Sequence, residues 1–164
     1  MKNYNKLTLV VLFLLTINIT YGQQFSNLSN IEELFTKSKF QVDSIIKDNG
    51  YKLVSSNLKT GIVSYENIYH KDYYDEFKFS VTVIFKGHKL KSILWNDLIP
   101  RGAFITKDIQ NADYKVVESK TDDKLGVFYL QSPDKNIDVI IFRTAANTNK
   151  GMMSFHLFER LRTQ

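Results

Sequence analysis

Cysteine is absent from this chain of 164 residues, and with it go disulfide scaffolds, thiolate zinc sites, iron–sulfur clusters, cysteine nucleophiles and lipid attachment through cysteine. Proline occurs 2 times and glycine 7 times, too few for collagen-like or low-complexity architectures. Arginine is scarce as well: 18 of the 22 basic residues are lysine, leaving only Arg101, Arg143, Arg160 and Arg162. Nucleic-acid sites favour the planar arginine fork, and the lysines here alternate with acids as they do on a solvated face, so no nucleic-acid partner is expected. No G-x-S-x-G elbow, H-E-x-x-H helix, phosphate loop or dinucleotide fingerprint occurs, and neither a cofactor nor a metal set is expected. What is present, 43% apolar and 24% charged residues, suits a globular chain of one domain or of two small halves sharing a core.

The amino-terminal residues read as an export leader. Lys2 and Lys6 precede an almost wholly apolar run from Leu7 to Ile19. A helix of about 13 residues rises about 20 Å, short of the roughly 30 Å hydrocarbon core. Thr20-Tyr21-Gly22 supplies small residues for cleavage, so the expected product starts at Gln23 and is periplasmic or secreted, with no membrane span after cleavage. Loss of Lys2 and Lys6 lowers the formal charge from +5 to +3.

Beyond the leader, helical and strand signals alternate. Ser29-Asn30-Ile31-Glu32 and Ser38-Lys39-Phe40-Gln41 both fit the capping box. The first predicts a short helix through Phe35. The second predicts one through Asp48, with Phe40, Ile45 and Ile46 inward and Gly50 as a left-handed stop. Strands follow over 51–56, 61–69, 77–85 and 89–95. Phe77, Phe79, Val81, Val83 and Phe85 alternate with Lys78, Ser80, Thr82 and Ile84 at the period of two that marks a half-buried strand. The series then restarts: a helix over 97–111 with Pro100 in its first turn, then strands over 114–119, 125–132, 137–143 and 152–158.

The two series echo each other. Tyr51-Lys52-Leu53-Val54-Ser55-Ser56 matches Tyr114-Lys115-Val116-Val117-Glu118-Ser119 at four of six positions, Gly61 and Gly126 open the next strands, and Ser92 and Ser154 lie in the last. The expected fold is α+β: two tandem helix-plus-four-strand antiparallel units forming one extended sheet with helices on one face. The boundaries are 1–22 for the leader, 23–96 for the first unit and 97–164 for the second. This order resembles the β-lactamase-inhibitor-protein-like architecture, in which two such units join their sheets into a broad curved surface backed by helices. It is also similar to exported flavobacterial proteins of unknown function in length, leader and Lys/Asn/Ile-rich composition. The resemblance covers Asn30 to Phe158 without a diagnostic motif. With no cysteine the disulfides of the inhibitor family cannot form, and no functional residue carries over.

Surface chemistry suggests a binding module. A two-residue loop at Gly87-His88 sets Phe85 opposite Leu90, Val83 opposite Ser92 and Val81 opposite Leu94 as a core face. The opposite face then carries Ile84, Ile93 and Trp95 and, through the echo, Phe155 and Leu157. Apolar residues on a sheet face without helices mark a partner surface, here for a protein or cell-envelope component. The alternative is a hydrolase-like enzyme using His70-Lys71-Asp72-Tyr73-Tyr74-Asp75-Glu76 with His156 or His88. Lys86, Lys89 and Lys91 read as a charged hairpin edge that discourages aggregation.

Overall fold

A computed structural model describes residues 27–72, 75–122, 125–144 and 152–160. The leader expected over 1–22 lies outside the described residues, as do Tyr73 and Tyr74.

Helix α1, Leu28–Glu33, starts earlier than its capping-box reading. The Asn27 side chain accepts from the Ser29 N–H at 2.8 Å, so Asn27 is the cap and Ser29 falls inside the first turn. A 3-10 turn over Leu34–Thr36 then carries Leu34 and Phe35 into the core. Helix α2, Lys39–Asp48, has the expected box: Ser38 and Gln41 each accept from the other's backbone N–H. Gly50 at φ 84° ends it. Val42 and Ile46 form its buried stripe one turn apart. Phe40 sits about 200° round the helix from Val42 and so projects into solvent, correcting its inward assignment.

The eight strands are β1 (Lys52–Asn57), β2 (Ile62–Asp72), β3 (Asp75–Lys86), β4 (Lys89–Leu98), β5 (Lys115–Thr121), β6 (Leu125–Gln131), β7 (Ile137–Thr144) and β8 (Met152–Glu159). Helix α3, Ile99–Asn111, with Pro100 in its first turn, separates β4 from β5. All eight strands join one antiparallel sheet in the order β1-β2-β3-β4-β8-β7-β6-β5. β4 and β8 therefore meet at the centre, while β1 and β5 form the edges. Each edge strand is exposed throughout. Each also carries a bulge, at Val54 and at Val117, which twists the edge away from pairing with another chain.

One core joins the helices to one face of the sheet. Ile31, Val42, Ile46, Ile105 and Ile109 from the helices are buried with Val81, Val83, Ile93, Trp95, Phe155 and Leu157 from the central strands. The opposite face has no helix among the described residues.

Candidate functional site

The placement of β4 decides which side chains can meet a partner. Its register with β3 slips by one residue: Phe85 pairs with Leu90, but Ile84 pairs with Ser92, leaving Lys91 as an extra bulged residue. A one-residue slip turns every following side chain to the other face. Val83 consequently pairs with Ile93 and Val81 with Trp95, in place of the expected Ser92 and Leu94.

This corrects the open-face assignment of four residues. Ile93, Phe155 and Leu157 are 0% exposed and Trp95 is 1% exposed, all packed beneath the helices. Trp95 stacks on Phe155 with ring centroids 5.1 Å apart, and its Nε1–H has no partner among the described residues. Ile84 alone keeps its expected position, half-buried on the helix-free face.

The side chains that alternate with the core now define that face. β3 and β4 supply Ile84 and Leu94; β8 supplies His156 and Phe158; β7 supplies Ile140 and Phe142; β6 supplies Val127 and Tyr129. Leu94 is 39% exposed and the others are half-buried by their strand neighbours. Leu94 pairs with His156, and His156 with Ile140, in one row across the centre. Tyr129 stacks on Phe158 at 6.4 Å, and His156 tilts against Phe158 at 5.0 Å. Lys78 pairs with Glu66 at 2.7 Å on one flank, Lys115, Glu118 and Lys120 lie on β5 at the other, and one further ion pair, Asp138 with Arg160, sits beside Phe158 on β7.

Two polar groups are built into the face. Ser92 Oγ and His156 Nε2 are hydrogen-bonded at 2.6 Å, and burial pushes the imidazole below its usual pKa. No carboxylate reaches His156 among the described residues, so the pair lacks the orienting third group of a hydrolytic triad. Asp138, 1% exposed, accepts from Arg160 Nε at 2.9 Å and Nη2 at 2.6 Å and from the Tyr129 hydroxyl at 2.7 Å. Burial works to raise its carboxyl, but the Arg160 and Tyr129 hydrogen bonds outweigh it and hold the group below the usual range.

The residues of the hydrolase alternative are not brought together. His70 pairs with Glu76 near the start of β3, His88 lies in the turn beyond its end, and His156 sits mid-sheet. Twelve residues of β3 span about 40 Å, so the first two lie at opposite ends of the strand. Among the described residues no group of three or more His, Asp or Glu side chains is placed to hold a metal ion, and no helix is long and apolar enough to cross a membrane.

No protein-family profile, curated protein or solved structure matches the chain.

Proposed function

We propose that the protein is an exported, non-catalytic binding module of two tandem units, and that its helix-free sheet face receives a protein partner. The observation that carries the binding role is the composition of that face: Leu94, Ile140, Phe142 and Phe158 near its centre, interspersed with Ser92, Ser154 and His156, with lysines and glutamates at its flanks. Aromatic and aliphatic side chains depleted of lysine and glutamate, inside a charged rim, are the anatomy of a protein interface. Seven gaps of about 4.8 Å, crossed by strands of about seven residues, give a face on the order of 800 Å², which is what one partner contributes to a standard interface.

The two-unit reading rests on paired registers. Leu53 pairs with Tyr65 as Val116 pairs with Leu130; Val63 pairs with Val83 as Phe128 pairs with Ile141; Val83 pairs with Ile93 as Ile141 pairs with Phe155. The bulges at Val54 and Val117 correspond, as do the left-handed residues Gly50 and Asp113 that follow α2 and α3. Across the central seam Ile93 pairs with Leu157 and Trp95 with Phe155, the arrangement expected of a two-fold axis through Leu94 and His156. A β-lactamase-inhibitor-protein-like ancestry fits this symmetry, and a crystal structure whose halves fail to overlay strand for strand would exclude it.

Site-specific photocrosslinking tests the binding role. A benzophenone side chain at Leu94 or Phe142 should give one discrete adduct in the producing cell, and the same probe at Phe104 on α3 should not. Leu94→Arg should abolish the adduct formed from position 142. Equal labelling from Phe104, or no adduct from either face position, would refute it.

A further inference from the structure

The two most exposed large apolar side chains among the described residues are Leu58, at 85%, and Phe40, at 78%. They come from different elements but share one end of the molecule. Leu58 lies in the β1–β2 turn, and that turn is tied to the β3–β4 hairpin by the Phe85 N–H donating to the Gly61 carbonyl at 2.9 Å. Phe40 lies in the first turn of α2, whose start meets the same hairpin through a bridge between Ser38 and Lys89. Lys39 lines both the cleft of about 480 Å³ beside Leu58 and the neighbouring one of about 420 Å³ beside Phe40.

Positive charge concentrates at the same place. Lys39, Lys59, Lys86 and Lys91 all line the first cleft, and no carboxylate does. Lys86 stands directly opposite Lys89 across the hairpin, a like-charge pairing that opposes folding. Glu159 takes up Lys89 at 2.7 Å and also Lys91. Asp43 is engaged by Lys47 at 2.8 Å and by the Tyr65 hydroxyl at 2.8 Å. Lys39 lies over the Phe85 ring, 5.5 Å from its centroid, and acts on Asp43 only through space. Lys39, Lys59 and Lys86 make no ion pair within 4.0 Å among the described residues.

Neither a protruding leucine and phenylalanine nor a set of mutually repelling lysines is explained by folding. One surface satisfies both: headgroup phosphates for the ammonium groups and the acyl boundary just beneath for the apolar tips. Lysines supply mobile point charges suited to a fluid layer of phosphates, where arginine would suit a fixed bidentate site. We propose that this end of the molecule docks on an anionic lipid leaflet, with Leu58 and Phe40 entering the headgroup region and Lys39, Lys59 and Lys86 pairing with lipid phosphates.

Vesicle co-sedimentation tests this with the chain starting at Gln23, which retains every described element and the whole core. Vesicles of equal parts phosphatidylcholine and phosphatidylglycerol should bind it and pure phosphatidylcholine should not, with binding weakened by added salt. Lys59→Glu and Lys86→Glu should each lower partitioning at least about fivefold, since one lysine near an anionic surface contributes about 1 kcal/mol. Leu58→Ser with Phe40→Ser should lower it about tenfold at unchanged charge. Lys115→Glu with Lys120→Glu, at the far edge strand, should lower it much less, and thermal melts should show all variants folded. Failure to bind anionic vesicles, equal loss from the far-edge pair, or no loss from the serine pair would each overturn the proposal. Glycerol phosphate binding that depends on the same lysines without any vesicle binding would assign the cleft to a soluble anion and overturn it too.

Discussion

Replacing Trp95 with alanine should destabilise the protein's core rather than weaken its binding surface. Trp95 is the only tryptophan, 1% exposed, stacked on Phe155 and paired in register with Val81 on one side and Phe155 on the other. Truncation beyond Cβ removes about 200 Å² of buried surface, an upper bound of about 5 kcal/mol at about 25 cal/mol per Å². Trp-to-Ala changes in cores cost about 3–5 kcal/mol once partial collapse of the cavity is included. The indole N–H has no partner among the described residues, and an unsatisfied buried donor costs about 1–3 kcal/mol that alanine would return. The net loss should therefore fall at the low end, about 3 kcal/mol, or about 10 °C of melting temperature for a domain of this size.

The comparison variant is Leu94→Ala, one residue away and on the opposite face. At 39% exposure Leu94 should cost about 1 kcal/mol of stability while weakening partner capture. Far-UV circular dichroism melts serve for both, since Trp95→Ala removes the only tryptophan signal. In the wild type that signal should be blue-shifted and shielded from acrylamide. A Trp95→Ala protein that melts like wild type, beside a Leu94→Ala protein that collapses, would reverse the faces of β4 and remove the Lys91 bulge from the argument. Deleting Lys91 tests the same point from the backbone. Leu90 would be followed directly by Ser92, a bulge-free β3–β4 ladder with the same pairs that keeps Ile93 and Trp95 inward, so the protein should still fold, and failure to fold would count against the bulge.

Gly61→Ala should destabilise by more than about 1 kcal/mol, because φ is +72° and the added Cβ would meet the Phe85 carbonyl oxygen at 2.0 Å. Gly87→Ala, at φ +65° with nothing within 4 Å, should cost only the left-handed strain of about 1 kcal/mol, and urea melts of the two variants separate the terms. Stability should fall as pH drops below about 6.5: the unfolded His156 takes up a proton there while the folded, buried imidazole resists until lower pH. His156→Gln should flatten that part of the stability profile, measured by denaturant melts from neutral to mildly acidic pH. Asp138→Asn should cost about 3 kcal/mol by removing the anion shared by Arg160 and Tyr129, and its melts should also lose the stability that wild type keeps until pH falls through the depressed folded pKa.

Local signals carried much of this fold. The Ser38–Gln41 box, Pro100 at the start of α3 and the alternation through β3 each act within a few residues, and each forms as its chemistry dictates. The face of β4 was not legible for a physical reason. Leu90, Leu94, Ile93 and Trp95 are apolar on both parities, so period two cannot choose between them, and a bulge residue such as Lys91 leaves no mark of its own in composition. The signal that could have found it lies in β8. Ser92 to Trp95 aligns with Ser154 to Leu157 without a gap, yet Phe85 pairs with Leu90 as Arg143 pairs with Met153. One extra residue between Leu90 and Ser92 is the whole difference. Because Lys91 is absorbed as a bulge, Trp95 stays inward as Leu157 does in β8.

That insertion bears on where the two proposed units parted in function. Their shared parts are those a helix-backed sheet needs: Val42 with Ile105, Ile46 with Ile109, Val83 with Ile141, all buried. The lysine-rich end is not shared. Counted back from the left-handed residues Gly50 and Asp113, Lys39 corresponds to Gly102 and Phe40 to Ala103; through the matched registers Lys86 corresponds to Thr144, while Lys91, the bulge, corresponds to nothing in β8. Folding constraints act on both units alike, so a cluster confined to one is not explained by the scaffold. Nor does the sheet-edge reading of Lys86, Lys89 and Lys91 explain it, because the β3–β4 hairpin is not an edge: β2 flanks it on one side and β8 on the other. Lys39, Lys59 and Lys86 guard no edge, lack an ion pair and surround the two most exposed large apolar side chains among the described residues. That is the pattern the proposed lipid contact accounts for, and it is at this end that substitutions should leave the melt unchanged while altering what the protein adheres to.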